Sequence, residues 1–129
     1  MQPSNLLFIL SDQHNRDTLG CYGHPTIQTP NLDALSQRGV RFDAAYTNCP
    51  ICVPARASLA TGRYAHEIGY WDNAFPYDGR VQGCGHRLQS AGHRVDSIGT
   101  LHSRRAEYGA GFSASSYPHL SLPTQAELE

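Results

Sequence analysis

Cys52-Val53-Pro54-Ala55-Arg56, followed by Thr61-Gly62-Arg63, places a thiol, a rigid proline and a permanent positive charge within five residues. Four residues apart at the start of a helix, Cys52 and Arg56 share one face. The first N–H groups of such a helix add backbone donors and a partial positive charge. That set suits a small anion, a sulfate or phosphate ester. Three other readings stand beside it. A lone cysteine is more often a small buried hydrophobe. Cys49-Pro50-Ile51-Cys52 has the spacing of a C-x-x-C redox pair. Half of a zinc site is the weakest, because Cys21 and Cys84 are isolated and unpaired. A second chemical feature is Asp12, which closes the apolar run Leu6–Leu10. It is either a hard oxygen donor for Ca²⁺, Mg²⁺ or Mn²⁺ or a turn or helix-cap aspartate.

These residues have to be positioned by regular elements, and the pattern predicts an α/β fold with a parallel sheet. Residues 5 to 10 (Asn-Leu-Leu-Phe-Ile-Leu) predict a strand buried on both faces. Thr29, Pro30 and Gly39 punctuate a helix as N-cap, first helical residue and stop signal. Val40 to Tyr46 predicts a second strand. Pro54 to about Thr61 predicts a helix ended by Gly62, and Val81 to Ala91 another, stopped by Gly92. Arg94 to Ile98 predicts a third strand. Ligands of such sheets bind beyond the carboxyl ends of the strands. Asp12, Cys52, and Thr100 with His102 each follow a predicted strand and are expected to face one crevice. After Gly111 the periodicity fades.

Composition narrows the class. The chain has 129 residues, about one domain, and 40% of them are hydrophobic. The longest apolar run is far short of a membrane span of about 20 residues, and no signal peptide is recognisable. A net charge of -1 gives no electrostatic case for nucleic acid or a membrane surface. Without a secretory signal a disulfide framework is a weak reading of the four cysteines, and a reduced, cytoplasmic chain is expected. All ten basic residues are arginine, the residue that grips oxyanions with a planar fork.

Cys-x-Pro-x-Arg followed by Thr-Gly-Arg resembles the signature of the type I sulfatases, in the alkaline-phosphatase-like superfamily. The resemblance runs from Asn5 to about Ala106. It is carried by Leu-Phe-Ile-Leu-Ser-Asp-Gln, Thr-Pro-Asn-Leu-Asp-Ala-Leu, Thr-Asn-Cys-Pro-Ile-Cys-Val-Pro-Ala-Arg, Thr-Gly-Arg-Tyr-Ala-His and Trp-Asp-Asn-Ala. It implies a mostly parallel sheet sandwiched by helices, of which this chain would be the incomplete N-terminal part. Residues 1–112 would belong to the catalytic domain, and 113–129 form an irregular tail unlike the family. The resemblance further implies a sulfuric ester hydrolase. A maturation enzyme would oxidise Cys52 to formylglycine, whose aldehyde hydrate attacks the ester.

By the same resemblance Arg56 holds the formylglycine and stabilises its charge, and Asp12, Gln13 and the modified Cys52 serve a divalent metal, Ca²⁺ before Mg²⁺ or Mn²⁺. Asn73 and Thr100 contact the substrate, and His102 lines the catalytic pocket. The Asp12-Gln13 pair resembles the choline-sulfatase and phosphonate-monoester-hydrolase branch. Many relatives have Gly-Lys-x-His where this chain has Gly99-Thr100-Leu101-His102. The implied partners are a small-molecule sulfate ester and the formylglycine-generating enzyme. Phosphonate or phosphate ester hydrolysis is the alternative, and a truncated, non-catalytic remnant a further one. Family members run to several hundred residues with further metal ligands downstream. An interior strand without its sheet exposes a hydrogen-bonding edge, so the isolated chain is expected to be marginally stable or to self-associate.

Overall fold

A computed structural model of the chain describes residues 5–99 and 111–116. The chain divides into two compact units, Met1–Ala45 and Tyr46–Glu129.

The first unit is organised by polar clamps. Helix α1 spans Pro30–Arg38, with proline at its start and Thr29 as N-cap, as the punctuation predicts. The Thr29 hydroxyl does not cap the helix in the usual way. It donates to Asp33 Oδ1 at 2.8 Å and accepts from the Gly20 N–H at 2.8 Å. Asp33 Oδ1 also accepts from the Cys21 N–H at 2.7 Å. These bonds hold a 3₁₀ turn, Gly20–Tyr22, against α1. A Cβ on Gly20 would stand 2.6 Å from the Asp33 carboxylate, so only glycine allows this approach. Arg41 lies over the Tyr22 ring, 4.9 Å from its centre, with Arg16 at 5.8 Å. None of residues 5–45 is buried.

Two predicted strands are absent here. Neither residues 5–10 nor 40–46 form a strand; among the described residues the one sheet is a pair of three-residue strands elsewhere. A strand exists only as a member of a ladder, and an apolar run records what a sheet could bury without supplying the neighbour. Leu6, Leu7 and Ile9 are 87%, 82% and 80% exposed. Near Val40 the carbonyls are taken by side chains instead. Tyr22 Oη donates to Phe42 O at 2.7 Å, and Arg16 Nη1 donates to Asp43 O.

The second unit holds the core. Helices α2 (Cys52–Thr61), α3 (Ala65–Ile68) and α4 (Cys84–Ser90) precede strands β1 (Asp96–Ile98) and β2 (Ala114–Ser116). Val53 and Ala57, one turn apart on α2, pack with Ile68, Tyr70 and Tyr77, and Val81 leans on the cluster. Pro54 is fully buried beside them. α2 begins at Cys52, two residues before the predicted start, because Ile51 is its N-cap, and it ends at Gly62 with φ +69°. α3 was not predicted; it is one turn, with Glu67 accepting from the Tyr64 N–H at 2.7 Å. α4 starts at Cys84 and not at Val81, since the Val81 carbonyl accepts from the Tyr77 hydroxyl and Gly83 is the N-cap.

β1 and β2 pair in parallel, Ser97 opposite Ser115. β1 is the predicted 94–98 strand shortened to three residues, and β2 falls in a stretch without hydrophobic period. The predicted mostly parallel sheet is therefore represented, among the described residues, by this pair alone. Gly111, with φ +80°, and Gly85 bring their backbones so close that a Cβ on either would overlap the other segment. No helix among the described residues is long and apolar enough to cross a membrane.

Candidate functional site

The core determines which face of α2 is available. Val53, Pro54, Ala57 and Ser58 are buried, which turns Cys52 and Arg56 to the opposite side, both half-buried. Cys52 is the first residue of the helix, so its side chain stands at the positive end of the backbone dipole. The loop leading to it is pinned. The buried Ser58 hydroxyl donates to Asn48 Oδ1 at 3.1 Å, and Thr47 Oγ1 bonds both the Cys49 carbonyl and its N–H. All four cysteines are free thiols, Cys49 and Cys52 included.

Ile51, the N-cap of α2, has no side-chain acceptor to offer the helix. The acceptor arrives from twenty residues downstream: the Val53 N–H donates to Asn73 Oδ1 at 3.0 Å. Asn73 thus touches the mouth of the helix whose first residue is Cys52. Its position is set by a bracket of buried aromatics. Tyr70 and Tyr77 are 2% and 7% exposed, with ring centres 5.6 Å apart. The Tyr70 hydroxyl donates to Asp78, and Arg80 stacks on the Tyr70 ring at 5.0 Å while donating to the Ile68 carbonyl at 3.2 Å. The Tyr70 bond holds the Asp78 carboxyl below its usual range, and burial, then the Asp78 bond, pushes the Tyr70 hydroxyl up. Between these anchors Asp72 Oδ1 accepts from the Ala74 N–H at 2.8 Å, turning the chain at Asn73.

The structure therefore brings Cys52, Arg56 and Asn73 to one helix end. Asp12 and Gln13 lie in a turn of the first unit. Gln13 has φ +54°, the one non-glycine residue with positive φ among those described, a conformation that costs about 1 kcal/mol and collects at functional positions. Thr100 and His102 lie outside the described residues. The Asn48–Ser58 bond and the aromatic bracket were missed from sequence. Cys-x-Pro-x-Arg advertises the helix, but nothing local to residues 70–80 says which backbone they brace.

For a divalent cation the described residues do not suffice. No three His, Cys, Asp or Glu side chains gather among them. Asp12 and Gln13 offer at most three side-chain oxygens, whereas Ca²⁺ takes about six to eight.

Comparison with known proteins shows the family. The sulfatase family model matches residues 4–120. An N-acetylglucosamine-6-O-sulfatase of Bacteroides thetaiotaomicron is 39% identical over 98 residues, covering 76% of this chain and 18% of the relative. Human arylsulfatase A is 43% identical over 70 residues, 54% of this chain and 14% of that one. A protein solved in complex with its substrate, D-glucosamine-2-N,6-O-disulfate, superposes with a TM-score of 0.68 and 33% identity over 77% of this chain and 20% of its own. The phosphonate monoester hydrolase of Agrobacterium radiobacter does so at 0.63 and 28%, over 78% and 23%. Both have the alkaline-phosphatase-like fold. The chain spans about a fifth of the length of these two structures. With its family model matched over nearly the whole sequence, the chain belongs to the sulfatase family.

Proposed function

We propose that this chain carries the nucleophile segment of a sulfuric ester hydrolase that cleaves sulfate monoesters, within an alkaline-phosphatase-like fold. The single observation that carries the reading is the end of α2, where Cys52, Arg56 and the Asn73-capped backbone converge. Oxidation of Cys52 to formylglycine by a maturation enzyme supplies the hydrated aldehyde that acts as nucleophile. The chain's own residues do the rest. The helix end and the Arg56 guanidinium set a positive potential for the ester's oxyanion. The buried Val53 face keeps the first turn from tilting, so residue 52 meets the ester in one orientation. Asn73 presents its amide nitrogen to the same anion, and Thr100 and His102 line the pocket. Asp12 and Gln13 are assigned as oxygen donors to a divalent cation, Ca²⁺ first, which they hold only together with further ligands. Residues 1–112 form the catalytic portion, and of the tail 113–129 the strand β2 (Ala114–Ser116) pairs with β1.

A specific observation favours a second reading, phosphonate monoester hydrolysis at the same site: the likeness to the Agrobacterium enzyme, with Gln13 and Thr100 as the residues that motivate it. Turnover of an aryl sulfate against an aryl phosphonate monoester, by chain co-expressed with a formylglycine-generating enzyme, separates the two. Faster sulfate turnover that Arg56→Ala abolishes supports the first; faster phosphonate turnover supports the second. Metal-independent inactivity toward both refutes hydrolysis by this chain.

A further inference from the structure

The loop that delivers Asn73 also displays two large aromatics that the core does not use. Trp71 is 58% exposed and Phe75 is 57% exposed, while their neighbours Tyr70 and Tyr77 are buried. Each stands two residues from Asn73, one on either side. The turn between them is closed by the Asp72–Ala74 bond, and both feet of the loop are fixed in the aromatic bracket. The loop is therefore a held feature, and its exposed rings are presented by it.

Their distance from the nucleophile position is bounded by covalent geometry. Val53 N is bonded to the Cys52 carbonyl carbon and lies 3.0 Å from Asn73 Oδ1. Summing bond lengths keeps the Cys52 and Asn73 Cα atoms within about 10 Å. Trp71 and Phe75 add at most about 7 Å of chain each, a gap that the indole and phenyl side chains and an ester's alcohol portion span between them. Exposed apolar surface beside a polar anion site marks the part of a ligand that is not the anion. An indole or phenyl face takes the flat side of a ring, aryl or pyranose, and gains little from a short alkyl chain.

The geometry points to Trp71 and Phe75 as specificity-determining residues, an aromatic rim that selects esters of ring alcohols over those of small alkyl alcohols. This rests on the sulfate-ester reading of the α2 end and adds the alcohol side to it. Trp71 is the chain's single tryptophan, so its emission reports the rim directly. The 129-residue chain is titrated calorimetrically and by fluorescence with methyl sulfate, phenyl sulfate and glucosamine 6-sulfate. The rim predicts that at least one ring ester binds about tenfold tighter than methyl sulfate, equivalent to about 1.4 kcal/mol, and shifts Trp71 emission. Which ring ester gains tells an aryl from a pyranose face. Phe75→Ala and, by calorimetry, Trp71→Ala remove the ring advantage and leave methyl sulfate affinity unchanged. Equal affinity for ring and methyl esters, or a ring advantage that survives both substitutions, overturns the rim alone. Methyl sulfate binding that survives Arg56→Ala overturns the underlying anion site instead, and no binding of any ester overturns both.

Discussion

Replacing Asn73 by alanine tests the support of the α2 end without relying on turnover. The substitution removes the side-chain acceptor of the Val53 N–H and leaves the buried Val53 side chain in place. Loss of an N-terminal cap costs about 1 kcal/mol, within a range of about 0.5–2. Val53 is 2% exposed, so water replaces the lost acceptor poorly and the upper half of that range applies. With a urea slope of about 2 kcal/mol/M, the unfolding midpoint, followed by Trp71 emission, falls by about 0.5–1 M. Asn73→Asp keeps an acceptor and adds negative charge at the positive end of the helix, so its midpoint equals or exceeds that of the parent. The same carboxylate repels sulfate, so stability and anion binding move in opposite directions in this one variant. An Asn73→Ala midpoint matching the parent, or an Asn73→Asp midpoint falling with it, refutes the capping argument.

Other outcomes follow from the same contacts. The Asp78 carboxyl is held low chiefly by the Tyr70 hydroxyl; its contribution is present above the ordinary carboxylate pKa of about 4 and disappears as pH falls below that through the lowered folded value. Tyr70→Phe flattens this acid limb in a urea-midpoint series. Tyr70 and Tyr77 are both pushed up, first by burial, so their contribution is complete below about pH 10 and is lost as pH rises through the folded values. Gly111→Ala forces a methyl group into the Gly85–His86 backbone at a positive φ and lowers the unfolding midpoint by an amount equivalent to at least about 2 kcal/mol. Ile9→Lys, in a run that is exposed throughout, leaves the midpoint of the second unit unchanged and shifts any self-association seen by sedimentation toward monomer.

What could be read in the sequence was the part written in local punctuation. Thr29-Pro30 and Gly39 delimit α1, and Gly62 stops α2 in the left-handed conformation that only glycine enters cheaply. The shared face of Cys52 and Arg56 follows from their spacing alone. Residues 5–10 and 40–46 were misjudged because apolar patterning encodes a capacity for burial, and a strand also needs a neighbour with free N–H and C=O groups. The Asn73 cap escaped because it is made across twenty residues, and an asparagine looks alike whether it caps a helix or faces solvent. The Gly85–Gly111 approach is equally silent: each glycine reads as a local breaker until the other segment is laid against it.

Residue 52 is the proposed site of conversion from thiol to aldehyde. Trypsin cuts after Arg41 and Arg56, releasing residues 42–56 with both Cys49 and Cys52, and fragmentation assigns a change to one of them. Chain co-expressed with a formylglycine-generating enzyme is predicted to show the CH₂SH group replaced by CHO at position 52 and an intact thiol at Cys49. An intact thiol at Cys52 under those conditions refutes the assignment of Cys52 as the nucleophile precursor.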